Sequence, residues 1–144
     1  MITIDAEAAI ADLEAMVARL RAPEPLLGVI GDAEVELSRE RIEETKNDPL
    51  GGGWLPWADS TSRQRVRKGT ADLGLLYDTG ELLESIHAAV EGNTVAIGSD
   101  VDYAIYLQDG TSKMPARPFL GWAPENLDAY ESMFVRFLET GVPA

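Results

Sequence analysis

The chain has 144 residues and a formal net charge of −13, from 25 acidic and 12 basic side chains. This length is typical of one domain that buries its own hydrophobic core. The acidity argues against general binding to nucleic acid or to an anionic membrane surface, because both are polyanions. The lack of cysteine excludes disulfides and thiolate metal sites, and a single histidine, His87, excludes histidine-rich metal sites.

The beginning of the sequence carries no targeting pattern. No apolar run approaches the ~20 residues of a transmembrane helix. The first residues are acidic rather than basic, unlike a secretory signal. We therefore expect the protein in the cytoplasm, or in an assembly that is built there.

Two helices are predicted in the first third of the chain. Residues 5–21 have an apolar stripe at helical spacing, and the prolines within residues 22–25 end that helix. A second helix is predicted over residues 26–46, whose polar second half indicates a solvated face or a projection from the core. We expect one domain, 1–144, in which the first helix, 1–22, could be peripheral. The stripe of the first helix consists of Ile10, Leu13, Met16, Val17 and Leu20.

A long loop rich in glycine and tryptophan is predicted over residues 47–62. Three consecutive glycines, 51–53, make it flexible. Trp54 and Trp57 are costly to leave in water, since each ring buries ~150–250 Å². We expect the two tryptophans either to fold back onto the core or to contact a partner.

One basic cluster follows the loop in this acidic sequence. It could contact an acidic neighbour such as another copy of the chain, bind phosphate, or form a solvated face. The cluster consists of Arg63, Arg65, Arg67 and Lys68.

A β-hairpin is predicted over about residues 82–99. Residues 91–93 have the composition of a hairpin turn and 94–98 that of a strand. Residues 82–90 fit a strand or a helix, and we favour the strand, which would leave His87 at the surface. The predicted fold class is α+β, with a small antiparallel sheet packed against several helices. Because so small a sheet is marginal alone, its edge is a candidate docking site for a neighbouring subunit.

Two further helices complete the predicted order of elements. A short helix is predicted over residues 102–109, with Ser99 or Asp100 as its N-cap. A final helix is predicted over residues 124–140, because Pro124 suits the first helical position and an apolar stripe follows. We expect that stripe to face the core.

A rigid segment joins these two helices. Prolines at both ends hold residues 115–118 extended, and Phe119 follows. Arg117 lies between the prolines. It either pairs with a carboxylate of its own chain or contacts a neighbouring subunit.

We find no constellation of catalytic residues. Motifs of nucleotide-binding loops, zinc proteases and serine hydrolases do not occur in the sequence. Asp100 and Asp102 could hold a divalent cation, but a helix cap explains them better. We therefore expect neither an enzyme nor a cofactor.

Three regions of the chain each carry a different short motif. The first combines Asp48-Pro49 with Gly51 or Gly53, Trp54 and Pro56, and the second is LYDTGELLESI, residues 76–86. The third is YAIYLQDG, residues 103–110, followed by PARPFLG, residues 115–121. Together they resemble the phage virion morphogenesis, or tail completion, family, from about residue 26 to 140. The three glycines lengthen the first loop, and the first helix has no counterpart.

The resemblance implies a small α+β structural protein of a tailed phage or prophage, with no catalytic activity. It would complete the tail or join the tail to the head at the neck. It would form a ring, often of six copies, whose partners are other copies and neighbouring tail or neck proteins. It would be located in the tail or neck of the virion, and in the host cytoplasm during assembly. No membrane partner is implied, and DNA would at most pass through the ring without specific binding.

Aromatic and basic side chains from the loop, the basic cluster and the third region are the predicted interface. In that case Arg117→Glu and Trp54→Ala should leave a folded protein that fails to complete tails. The predicted interface residues are Trp54, Trp57, Arg63, Arg65, Arg67, Tyr103, Arg117 and Phe119.

Two other functions fit parts of the pattern. An acidic binding module or DNA mimic that inhibits a basic host protein would be a stable monomer with salt-sensitive binding. A small hydrolase that uses acidic residues would lose its activity when one Asp or Glu is changed. Association that increases with concentration would favour the phage structural protein over the inhibitor.

Overall fold

The computed structural model describes residues 1–3 and 6–143. Within them, six α-helices and one two-stranded antiparallel sheet form a small α+β fold, which confirms the predicted class. None of the helices in these ranges is long and apolar enough to cross a membrane. In chain order the elements are α1 (Glu7–Arg21), α2 (Glu24–Glu40), α3 (Asp59–Lys68), α4 (Glu81–Ser85), β1 (Ile86–Glu91), β2 (Thr94–Ser99), α5 (Ala104–Asp109) and α6 (Pro124–Thr140).

The helices at the two ends of the chain follow the predictions from their apolar stripes. α6 has the predicted bounds, with Pro124 at its start and Gly141 just past its end. α1 ends at Arg21 as predicted, whereas its predicted start, Asp5, lies outside the described residues. The two helices contact each other, so the beginning of the chain is joined to its end.

Helix α2 packs across both strands of the hairpin. The strands pair from Ile86 with Ser99 to Glu91 with Thr94, and a two-residue turn joins them. Gly31 lies where the helix crosses the sheet, and a Cβ there would come within 2.8 Å of the Ala88 Cβ. The absence of a side chain at this position therefore permits the close approach of helix and sheet.

The hairpin is shorter than predicted. Strand β1 begins at Ile86, and the four residues before it belong to helix α4 instead of the predicted strand. Leu82 of that helix is 3% exposed, so its core contact is made from a helical turn. His87 is exposed on β1, as predicted.

The polar second half of the predicted second helix is packed on one side, while Glu40, Glu43, Glu44 and Thr45 form a solvated face, as predicted. α2 continues into a π-helical turn, Arg41–Thr45, in which Arg41 and Ile42 are buried. The Arg41 guanidinium donates to the Phe119 carbonyl at 3.2 Å and to the Ser38 hydroxyl at 3.3 Å. Because tertiary partners satisfy this cation, the polar sequence of the segment gives no sign of its burial.

The short helix α5 lacks the predicted cap. Its N-cap position is Tyr103, and no side chain caps it. Ser99 bonds Ser85 through the two hydroxyls, at 2.6 Å, and Asp100 lies 3.6 Å from the His87 ring nitrogen. Both predicted caps are therefore engaged at the end of the hairpin.

A buried polar cluster around Glu34 links α2 to α6. The Tyr130 hydroxyl donates to Glu34 Oε1 at 2.5 Å, and the Asn126 amide donates to the same oxygen at 3.3 Å. Arg41 Nη2 lies 3.7 Å from the other carboxylate oxygen. Glu34 is 2% exposed, so these partners compensate a carboxylate that is removed from water.

Tyr130→Phe is expected to lower the free energy of unfolding at neutral pH by ~1.5–3 kcal/mol, because Glu34 loses a donor. Burial and Glu34 raise the pKa of the Tyr130 phenol. The wild-type protein should therefore lose stability as pH rises above about 10, where the unfolded state ionises first. The variant should lose less over that range. Urea titrations at several pH values, with the exposed Tyr106→Phe as control, test both points.

Candidate protein–protein interface

The rigid segment is joined to the glycine and tryptophan loop by Arg117. The Arg117 side chain is buried and donates to the carbonyl oxygens of Leu55 and Pro56, each at 2.8 Å. No carboxylate among the described residues pairs with it, so its partners in this part of the chain are backbone carbonyls rather than the carboxylate that one alternative predicted. Burial lowers the pKa of the guanidinium, which still remains charged at neutral pH.

Two aromatic residues from the same regions lie in the main core. Phe119 is fully buried and Trp54 is 8% exposed, within one hydrophobic cluster. The Trp54 indole donates to the Pro118 carbonyl at 2.9 Å, which ties the loop to the rigid segment a second time. The loop and the segment therefore stabilise each other, although ~60 residues of sequence separate them. Bringing them together costs loop-closure entropy, and the contact buries Trp54 and Phe119.

Gln108 holds the end of the rigid segment against α5. Its Oε1 accepts hydrogen bonds from the backbone amides of Phe119 and Leu120, both at 3.1 Å, and its amide donates to the Leu120 carbonyl at 2.8 Å. A Cβ at Gly110, where φ is +74°, would come within 2.6 Å of the Ala116 nitrogen. The turn after α5 thus requires glycine both for its backbone angle and for this close approach.

Trp54, Arg117 and Phe119 are therefore enclosed by their own chain. Their side chains present almost no surface to a partner in this structure. The expectation that Arg117→Glu and Trp54→Ala leave a folded protein is revised accordingly, because both changes remove buried contacts. The exposed members of the predicted set are better candidates for an interface.

Helix α3 carries the basic cluster, and its inner side is engaged with the chain. The Arg65 guanidinium donates to the Tyr77 carbonyl at 2.6 Å, lies 3.0 Å from Asp78, and stands 5.0 Å from the centre of the Trp57 ring. The Trp57 indole donates to the Leu75 carbonyl at 3.0 Å. These two predicted residues are thus in contact with each other and half-buried.

The outer side of α3 is exposed. Arg63 and Arg67 are one helical turn apart, with Val66 between them at 65% exposure. Neither arginine has an ion-pair or hydrogen-bond partner among the residues that the structure describes. We call these three residues the basic patch.

Tyr103 lies on another part of the surface, beside α4. It is 39% exposed, and its hydroxyl donates to Glu81 at 3.1 Å. Burial and this hydrogen bond raise the pKa of the phenol. Tyr103 and Arg65 line one shallow cavity together with residues 78–82, so the structure brings these two predicted residues to a common site.

The motifs that form these contacts belong to one family. The family model described as the phage virion morphogenesis family matches residues 4–139. The chain belongs to the phage virion morphogenesis family. Searches of curated proteins and of solved structures each gave no significant match. As a member of this family, the protein has a role in forming a phage virion.

The apolar stripe on α1 of this family member is an exposed surface that sequence reasoning did not assign to an interface. The helix packs on α6 through its other side, where Arg19 donates to the Leu138 carbonyl. The uncovered side chains and their exposures are Ile10, 54%, Leu13, 61%, Val17, 45%, and Leu20, 53%. The periodicity of the stripe was visible in the sequence, but its direction depends on where α6 lies.

Two signals for α3 were also present in the sequence of this family member. Asp59 and the serines after it are typical of a helix start, and Gly69 is typical of a helix end. They indicate that the basic cluster is helical, with Arg65 on a different side from Arg63 and Arg67. Val66 had no such signal, because a single valine within a basic run indicates no interface.

Proposed function

We propose that this chain is a structural protein of a phage or prophage virion, which completes the tail or joins it to the head at the neck. The single observation that carries this proposal is the family match over residues 4–139. The packing of the motif residues agrees with it. The most specific motif positions maintain the fold, as expected for a protein whose task is to present surfaces rather than a reactive group.

We further propose that the protein acts by contacts with copies of itself and with neighbouring tail or neck proteins, as a ring and without catalysis. The uncovered stripe on α1 supports this, because contiguous exposed apolar side chains are typical of protein contact sites. The family match also favours this role over that of an acidic inhibitor of a host protein.

Deletion of the coding sequence from the phage or prophage tests the proposed function. We expect full heads and separate tails in electron micrographs, no infectious particles, and recovery of joined virions when the intact chain is supplied from a plasmid. Normal virions in the deletion strain would contradict the proposal. A defect confined to head filling would also contradict it, since that step precedes the joining of head and tail.

A further inference from the structure

The outward side of α6 carries an acidic ridge. Its residues are spaced at i, i+4, i+8 and i+12, and therefore lie in one row along the helix. Leu127 and Val135 are 52% and 51% exposed, and an exposed carboxylate follows each of them one turn later. The acidic ridge consists of Leu127, Glu131, Val135 and Glu139.

The acidic ridge and the basic patch are complementary. The basic patch combines one exposed apolar side chain with two arginines, and the acidic ridge combines two exposed apolar side chains with two glutamates, so the charges have opposite signs. Among the described residues, no salt bridge within the chain joins Glu131 or Glu139 to any cation. Two arginines beside an apolar residue, in a chain of net charge −13, suit an acidic surface with an apolar centre.

We propose that the basic patch of one copy docks on the acidic ridge of the next copy. This inference rests on the proposed function, for which it names the contacting surfaces. The two patches lie on different helices, so the contact is heterologous. Such a contact repeats from copy to copy and closes into a ring if the rotation allows it. A second copy is a better occupant than DNA, because two arginines cannot offset the repulsion between DNA and so acidic a chain.

Cysteine cross-linking tests the contact directly, because the chain contains no cysteine of its own. A chain with Val66→Cys and Val135→Cys, mildly oxidised, should give a ladder of disulfide-linked dimers, trimers and larger species. The control places one cysteine at Leu50, which is 78% exposed, and the other at Val135. If the ladder forms no faster than in this control, the proposal is overturned. This holds even if the wild-type chain is a monomer in solution.

Charge reversal tests the complementarity. Arg67→Glu or Glu131→Arg should each slow the cross-linking of the cysteine pair ~tenfold or more, since like charges then meet. The two changes in one chain should restore it, because the charges are again opposite. Lys113→Glu, an exposed reversal elsewhere, should leave the rate unchanged. Equal cross-linking rates in all variants would contradict the proposal. So would a double variant whose cross-linking is slowed by as much as the two single changes together.

Complementation separates failure of this contact from failure of the proposed function. In the deletion strain, Arg67→Glu should not restore joined virions. The double variant, Arg67→Glu with Glu131→Arg, should restore them, and so should the control variant Lys113→Glu. If Arg67→Glu restores virions fully, the contact is wrong and the proposed function stands. If the deletion itself has no effect on virions, the proposed function fails whatever the cross-linking shows. Retardation of DNA by the wild-type chain, lost in Arg67→Glu, would assign the patch to nucleic acid instead.

Discussion

Phe119→Ala is expected to lower the free energy of unfolding by ~3–5 kcal/mol, because it removes a fully buried ring and leaves a cavity. The ring packs in the core cluster that joins α2, α4 and the loop, so buried side chains from several elements would line the cavity. Since small domains have only ~5–15 kcal/mol of stability in total, we expect partial unfolding at 37 °C. Urea denaturation followed by tryptophan fluorescence measures the loss.

The control for this prediction is Tyr106→Ala, which removes an aromatic ring that is 56% exposed. We expect it to change the free energy of unfolding by no more than ~0.5 kcal/mol. A loss of under ~1 kcal/mol in Phe119→Ala would place the ring outside the rigid core and contradict the prediction. It would return Phe119 to the set of interface candidates.

Arg117→Met is expected to lower the free energy of unfolding by ~2–5 kcal/mol, because two part-buried hydrogen bonds from a charged donor are lost, at ~1.5–3 kcal/mol each before water reaches the freed carbonyl oxygens. The methionine keeps much of the apolar stem, so the loss reports mainly on the hydrogen bonds to Leu55 and Pro56. Arg117→Lys should lose nearly as much, since an ammonium lacks the planar fork that reaches both oxygens. Thermal and urea unfolding of the purified variants measure these differences.

Lys113→Met is the matched control, because it removes a cation that is exposed in the same region of the chain. It should leave the free energy of unfolding within ~0.5 kcal/mol of wild type. If Arg117→Met unfolds like the wild type yet fails to restore virions in the deletion strain, Arg117 acts at an interface. That result would support the expectation drawn from the sequence over the one drawn from the structure.

The burial of Arg117 shows why sequence reasoning left two roles open for the rigid segment, one within the chain and one at an interface. Exposed arginines and aromatics are typical of interfaces, and the two prolines indicate only that the segment is extended. Its partners are carbonyl groups ~60 residues earlier in the chain, and every residue type offers a carbonyl. No sequence pattern therefore distinguishes an arginine that binds its own backbone from one that binds a neighbour.

The hairpin and α3 show a second limit of sequence reasoning. Residues 82–85 fit both the strand period and the helix period, and in the structure they are helical, with Leu82 in the core cluster. The charges of α3 were assigned to one cluster, but the helix separates Arg65, which contacts Asp78, from the exposed Arg63 and Arg67. A contact that depends on two helices meeting cannot be derived from either helix alone.

By itself, the sequence determined the bounds of α6, the end of α1, the α+β class and membership of the phage virion morphogenesis family. These properties depend on local periodicity, on helix ends and on motifs in order, all of which are written along the chain. Only the tertiary structure decided that Trp54, Arg117 and Phe119 are internal, while the α1 stripe, the basic patch and the acidic ridge face outward. Burial depends on which distant segment covers a residue, and that is a property of the packed chain.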